Sequence, residues 1–226
     1  IPNFFLTLTT IIVNFFFAFL LVFAADWSNE NSFGIIHLVN SSTIVNIILG
    51  LLVLDLIGAY LPHLVQHKVK LLWYIHIVHH TDHKVDTTTA NRHHPFESVV
   101  RFLFTFIGIF DSVSPIGLVL MYQSISVIAS LFNDDNIQIS DKIDKLISYI
   151  IVSPNMHKVH HHFELPYTDS NYGNIFSIWD RLFGTYMELN KDKIIYGVDT
   201  DLDEIKNSKF TSLLKRPFKK WYNHFN

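Results

Sequence analysis

Residues 43–80 read TIVNIILGLLVLDLIGAYLPHLVQHKVKLLWYIHIVHH, and this stretch decides the fold. From Thr43 to Leu61 it carries a single charge, Asp55, and as a helix rising about 1.5 Å per residue it crosses most of a roughly 30 Å hydrocarbon layer. The apolar run then gives way to His63 and His67, an H-x3-H pair, and to His76, His79 and His80, an H-x2-H-H block. Offsets of three and four place helical side chains on one face, with Cβ atoms about 5–6 Å apart. The spacing therefore lets the imidazoles of one block converge on a metal at the rim of a membrane span.

Working outward, residues 4–25 (FFLTLTTIIVNFFFAFLLVFAA) carry no charge and predict another span. No Lys or Arg precedes the run and no small-residue cleavage site is clear, so it reads as a span and not as a signal peptide. The chain opens at Ile1 and not at Met, so residues upstream of it are expected. Residues 99–132 are also apolar, but one helix of that length would reach roughly 50 Å, too long for a bilayer. Pro115, beside Asp111, Ser112 and Ser114, predicts a break and hence a hairpin whose first arm is the shorter. The expected fold is all-α: an integral membrane helical protein of about four transmembrane or re-entrant helices with a histidine-rich cap. Its regions would be a transmembrane pair over 1–61, a catalytic region over 62–190 and a basic-aromatic tail over 191–226.

All 17 Lys and Arg lie at or after Lys68, whereas the 26–42 connection holds only Asp26 and Glu30. The positive-inside tendency then puts 26–42 outside, and 62–98 and everything after 133 on the cytoplasmic side. Composition agrees with a membrane class: 49% apolar, 16% charged, mean hydropathy +0.26, net charge −3. It excludes a disordered tail, a disulfide-framed module and a basic nucleic-acid binder. With no cysteine, iron–sulfur clusters and Cys-based zinc sites are excluded too, leaving His and carboxylates as ligands.

Twelve of the 14 histidines fall in two windows, 63–94 and 157–162. The second window repeats H-x2-H-H with His157, His160 and His161. Eight imidazoles in three blocks exceed the needs of one ion and suit a pair, and neutral imidazole suits Fe, Zn, Cu and Ni. His83, His93 and His162 fall outside the spacings and read as accessory; His37 and His224 sit apart, with no role assigned. A metal transporter would hold its ligands near the bilayer midplane, not past the span ends. A bis-His haem protein would leave most of these histidines unused.

At these residues the chain resembles the fatty acid hydroxylase / sterol desaturase superfamily of membrane non-haem di-iron enzymes, over about Leu54 to Tyr186. LDLIGAYLPHLVQH is similar to its first block. HKVKLLWYIHIVHHTDHKVDTTTANRHHPFE resembles the second with its R-x-H-P-x-E, and SPNMHKVHHHFELPYTDSNYGNIFSIWDRLFGTY the third. The resemblance implies two irons, O2-dependent hydroxylation or desaturation of a sterol or fatty acyl lipid, and ligand roles for His63, His67, His76, His79, His80, His157, His160 and His161. Zinc has no accessible redox change and would occupy such a site without supporting the chemistry. Two departures stand out. Leu64 replaces a usual Arg, with Pro62 ahead of the pair. Asp134 stands where similar members carry a further histidine, in Phe132-Asn133-Asp134-Asp135-Asn136-Ile137. Asp134 is either a substitute ligand or a solvated carboxylate beside a weakened site, and the latter motivates a rival reading as a non-catalytic or zinc-occupied lipid-binding relative.

Ligating imidazoles usually donate their second N–H to a carboxylate or carbonyl. Asp82 is the first choice for that role, with Glu97, Asp86, Asp169 and Asp180 also near; Arg92 and His94, with Glu97, would brace the site. No two of the eight glycines are two apart, so no dinucleotide fingerprint exists. Electrons must come from an external donor such as a ferredoxin, a cytochrome or a flavin reductase. Ile175, Phe176, Ile178, Trp179, Leu182 and Phe183 are spaced as a helix face, with Trp179 suited to an interfacial belt. The tail LLKRPFKKWYNHFN suits anionic headgroups.

Overall fold

The computed structural model describes residues 2–31, 33, 41–112, 115–200 and 203–218. His37, Ser114 and His224, residues 32 and 34–40 of the 26–42 connection, and residues 219–226 of the basic-aromatic tail lie outside them. Among the described residues there is no strand, only two isolated antiparallel bridges, Ile151 with Phe176 and His162 with Tyr196. The all-helical expectation holds.

α1 (Pro2–Glu30) is apolar on nearly every side, and Phe4, Phe15, Phe16, Phe19 and Phe23 are all more than half exposed. Such a surface is stable only against lipid or another apolar partner. α2 (Thr43–Asp55) runs through a π turn (Leu56–Tyr60) straight into α3 (Leu61–Lys68), forming one rod. Pro62 explains the π turn. A proline inside a helix lacks an N–H and collides with the carbonyl four residues back, here that of Gly58. Widening the turn relieves both, and the Leu61 N–H donates to the Leu56 carbonyl five residues back. From Thr43 the rod climbs about 30 Å before reaching His63, which sets the first histidine pair at one rim of the hydrocarbon layer.

A single extended residue, Val69, ends the rod and turns α4 (Lys70–His80) back beside it. α5 (Pro95–Ser112) and α6 (Ile116–Asn133) follow, with the break at Pro115 where the sequence places it. α1, the rod and α6 are long and apolar enough to cross a membrane. α5 is as long as α6, which corrects the expectation of a shorter first arm, and it is amphipathic, with Glu97 and Arg101 in its opening turns. The ends sort consistently. Asn3, at the start of α1, bonds Asp82 and Arg92 on the histidine side, whereas Trp27 packs on Phe110 at 5.4 Å near the α5–α6 break. The core between the helices is built from Leu54, Ile109, Leu118, Val119, Tyr122 and Ile175.

Beyond α6 come α7 (Asp141–Ile147), α8 (Pro154–His160), α9 (Ile178–Leu182), α10 (Glu204–Asn207) and α11 (Phe210–Leu214). The 172–183 segment corrects the helix-face expectation, because only Ile178–Leu182 is helical. Two carboxylates claim its backbone donors. Asp180 accepts from the Tyr172 and Gly173 N–H groups, and Asp55 from those of Ile175 and Phe176. Trp179 is likewise held inward, its Nε1–H donating to Asp55 at 3.0 Å.

Candidate metal centre

The three histidine blocks come together, but not block by block. His63, His67, His76, His80 and His160 form one buried group, and His79, Asp134, His157 and His161 a second, each with its donor atoms within 4.8 Å of one another. Helical phase divides them. At 100° per residue, His76 and His80 differ by about 40° while His79 points about 60° to the other side. The same arithmetic on α8 keeps His157 with His161 and sends His160 to the first group. Each H-x2-H-H block therefore serves both groups, which corrects the expectation that one block serves one ion. The groups abut: His79 and His80 rings are 5.4 Å apart, His80 and His161 rings 4.9 Å.

Tautomers follow from the acceptors. His63 Nδ1–H donates to the Tyr172 carbonyl at 2.8 Å, and His160 Nδ1–H to the Ser170 carbonyl at 2.6 Å. Each leaves a buried Nε2 lone pair with no hydrogen-bond partner. His76 Nδ1–H donates to Glu97 Oε1 at 3.1 Å, so its Nε2 also bears a lone pair. That atom lies 3.2 Å from His80 Nε2, which lies 3.2 Å from His67 Nε2. In the second group His161 Nε2 is 3.3 Å from His157 Nε2 and 3.2 Å from Asp134 Oδ1. Ligands about 2.1 Å from one ion stand about 3.0–3.4 Å apart in octahedral or tetrahedral geometry. Ring nitrogens at this separation share a proton or hold a cation between them, and the partnerless Nε2 atoms of His63 and His160 face the same space. The residues fit two N/O-coordinated metal ions.

Burial disfavours a charged imidazole. It is the main cause that holds His76, His79, His80 and His160 below the ordinary imidazole range, and His157 down to about 4. Burial alone would raise Glu97 and Asp134, but facing histidines outweigh it and keep Glu97 well below, and Asp134 below, the usual carboxylate range. Neutral imidazoles and an ionised carboxylate are the forms that bind metal. Asp134 is buried inside the second group, so the solvated alternative does not hold.

Among the carboxylates the outcome differs from the expectation at Asp82. It accepts from Asn3, the Lys84 N–H and Thr89, and reaches none of the described histidines. Glu97 takes its place, since Oε1 lies within 3.2 Å of His76 Nδ1, His93 Nδ1 and Arg101 Nε. Asp169 stands 3.8 Å from His67 Nδ1 and also binds Lys68 and Tyr172. Asp180 orders the loop whose carbonyls orient His63, and Asp86 caps its own turn by accepting from Thr88. Arg92 and His94 act at a distance from the histidine groups. Arg92 ties Asn3, the Val78 carbonyl, Thr81 and the Asn207 carbonyl together, and His94 donates to the Leu214 carbonyl. His93, which falls outside the sequence spacings, stacks on His79 at 4.6 Å and forms a small group with His76 and Glu97.

A cavity of about 400 Å³ runs between α1, α5 and α6 and reaches His93 and Arg101. These two residues, with Ala90 and Ser130, also line a recess of about 30 Å³ against His63, His79, Asp134 and His157. The cavity between the helices and the recess beside both histidine groups thus share four lining residues.

Fold and site together define a helical membrane protein with paired, buried polyhistidine groups. The fatty acid hydroxylase family matches residues 47–185, and the chain belongs to that family. Alkylglycerol monooxygenase of Danio rerio is 31% identical over 145 residues, covering 62% of this chain and 30% of that protein. The Homo sapiens alkylglycerol monooxygenase is 27% identical over 146 residues, with the same shares. Ornithine lipid hydroxylase OlsE of Rhizobium tropici is 25% identical over 140 residues, covering 62% and 41%. The matched stretch thus spans less than half the length of each relative. No solved structure matches the chain.

Proposed function

We propose that the protein is a membrane-bound di-iron monooxygenase that hydroxylates a C–H bond of a lipid, using O2 and electrons from a separate donor. The observation that carries this reading is the pair of buried donor groups, with a cavity between the helices that reaches His93 beside them. His63, His67, His76, His80 and His160 would hold one iron, and His79, Asp134, His157 and His161 the other. Iron there would supply the power to reduce O2 and break an unactivated C–H bond. In the balance, R–H, O2, two electrons and two protons give R–OH and water. Hydroxylation is favoured over desaturation because the relatives carry the names monooxygenase and hydroxylase.

The chain's own residues do the rest. Glu97 and the carbonyls of Tyr172 and Ser170 fix imidazole tautomers and aim their lone pairs inward. The flanking helices keep bulk water from the reacting carbon. The cavity would take a lipid from between the spans, while the basic residues from Lys68 onward favour the cytoplasmic face for the metal groups, within reach of a ferredoxin, cytochrome or flavin reductase.

The test is anaerobic reconstitution of the full chain with ferrous iron, metal analysis, and reduction followed by labelled O2 with alkylglycerols and ornithine lipids. Two irons per chain and product bearing one atom from O2 support the reading. Stable zinc with no turnover on either lipid, given a competent reductant, supports the non-catalytic alternative. Asp134→Asn is expected to reduce the stoichiometry from about two ions to about one; an unchanged count removes Asp134 from the ligand set.

A further inference from the structure

Two short stretches beyond α6 carry large apolar side chains on their outer surface. Ile143, Leu146 and Ile150, on and just after α7, are 55% to 71% exposed, and Ile178, Leu182 and Phe183, on and just after α9, 48% to 66%. Both carboxylates within these stretches, Asp144 and Asp180, are buried, whereas the charged side chains that reach the surface, Lys145 and Arg181, are basic. The Arg181 guanidinium lies over the Tyr149 and Tyr186 rings, 5.2 and 4.0 Å from their centroids. Apolar surface edged by cations and tyrosines is the composition of an interfacial membrane anchor.

Three sets of contacts fix the level of this surface against the spans. Asp55 holds the Ile175 and Phe176 N–H groups and the Trp179 ring, and it stands eight residues before His63 on the rod, about 12 Å inside the rim. Asn174 pairs with Ser126 and Ser130 on α6, which lie roughly 10 and 5 Å short of the helix end at Asn133. Tyr60, three residues before His63, stacks on Phe183 at 5.3 Å. The stretch after α7 shares this level. Ile151 bridges Phe176, the Val152 N–H donates to the Ile175 carbonyl, and the Ser177 N–H donates to that of Ile150. Both stretches therefore flank the hydrocarbon-spanning part of the rod and of α6, and their exposed face continues the lipid-facing surface of those helices.

We propose that residues 143–151 and 176–183 form a monotopic membrane surface. Their apolar side chains lie among the acyl chains of the leaflet on the metal side, with Lys145 and Arg181 reaching up to the headgroup phosphates. The partner is the lipid leaflet and not a second copy of the chain, because the patch is level with the spans and its exposed charges are basic. The segment after α6 then dips into the leaflet, although the positive-inside tendency alone leaves it wholly in the aqueous phase.

The absence of cysteine gives single-site probes a clean background. The full chain, in phosphatidylcholine vesicles, carries a nitroxide at Leu146→Cys, Ile150→Cys or Leu182→Cys in turn. Each label is read for collisions with O2, which concentrates among acyl chains, and with a nickel chelate, which stays in water. Exposed positions on α1 and beyond α9, Ile12→Cys and Lys193→Cys, supply the lipid and water references. The O2-to-nickel ratio at 146, 150 and 182 is expected to match that at 12 and to exceed that at 193 about tenfold. A ratio equal to that at 193 overturns the proposal. Low collision with both agents overturns it as well, and spin–spin broadening would then identify a second copy as the cover. Three independent sites keep the test intact if one variant fails to fold, and the reading needs neither metal nor turnover.

Discussion

Glu97 gathers three donors onto one oxygen, from His76, His93 and Arg101, in a site where its side chain is fully buried. A buried charge is tolerated only when paired and hydrogen-bonded, and here the pairing also selects the tautomer of His76. Glu97→Gln keeps the shape and removes the charge. It should weaken metal retention by about ten- to a hundredfold, read by chelator competition on the reconstituted protein. Retention equal to the parent chain would deprive Glu97 of its orienting role. Asp55 works differently. It looks like a lone defect in an apolar span, yet it binds two backbone N–H groups and the Trp179 ring N–H. A carboxylate so occupied is a fastener between a membrane helix and the segment covering it.

At the scale of elements, the loop after α8 determines how well the first metal group is aimed. Gly173 sits where a Cβ would lie 2.8 Å from Asp180 Oδ2, 2.9 Å from Val152 Cγ2 and 3.0 Å from the Phe176 carbonyl. The last is backbone and does not yield. Gly173→Ala should therefore cost about 1–3 kcal/mol and displace the neighbouring Tyr172 carbonyl that holds His63. A fall in Tm accompanied by loss of metal is the expected pair of results, and a variant equal to the parent in both would show that the loop has slack. The same loop marks where sequence reading stops. Spans, the break at Pro115 and the histidine blocks are legible because each is a local pattern of hydropathy, proline chemistry or spacing. The acceptors for His63 and His160 are backbone carbonyls, which carry no residue signature. The division of His76 and His80 from His79 follows from phase within one helix, but which side meets His63 and His67 and which meets Asp134 depends on how that helix packs on its neighbours. Asp82 misled because nearness in sequence to His80 was taken for nearness in space, whereas Glu97, 21 residues from His76, returns on another helix.

For the whole molecule, a burial that suits metal binding makes the metal-free protein sensitive to acid. His79, His80, His157 and His160 have depressed folded-state pKa values, that of His157 down to about 4, against about 6.5 when unfolded. Below pH 6.5 the unfolded chain takes up protons that the folded chain refuses, so stability falls as pH drops toward 4, by up to about 1.4 kcal/mol per pH unit for each group. The metal-free protein should lose Tm steadily across that window, and a flat profile would mean the imidazoles are not neutral and buried. Orientation is a second property of the whole. The rod, α1 and α6 bring the metal groups to one rim, and the start of α1 lies on that side while the α5–α6 break lies on the other. Because the chain has no cysteine, single cysteines report sidedness without background. Asn29, exposed near the end of α1, and Lys142, exposed on α7, stand on opposite sides in this arrangement. In intact bacterial cells, Asn29→Cys should react with an impermeant maleimide, and Lys142→Cys only after lysis. The opposite pattern would place the metal groups outside and separate them from any cytoplasmic electron donor.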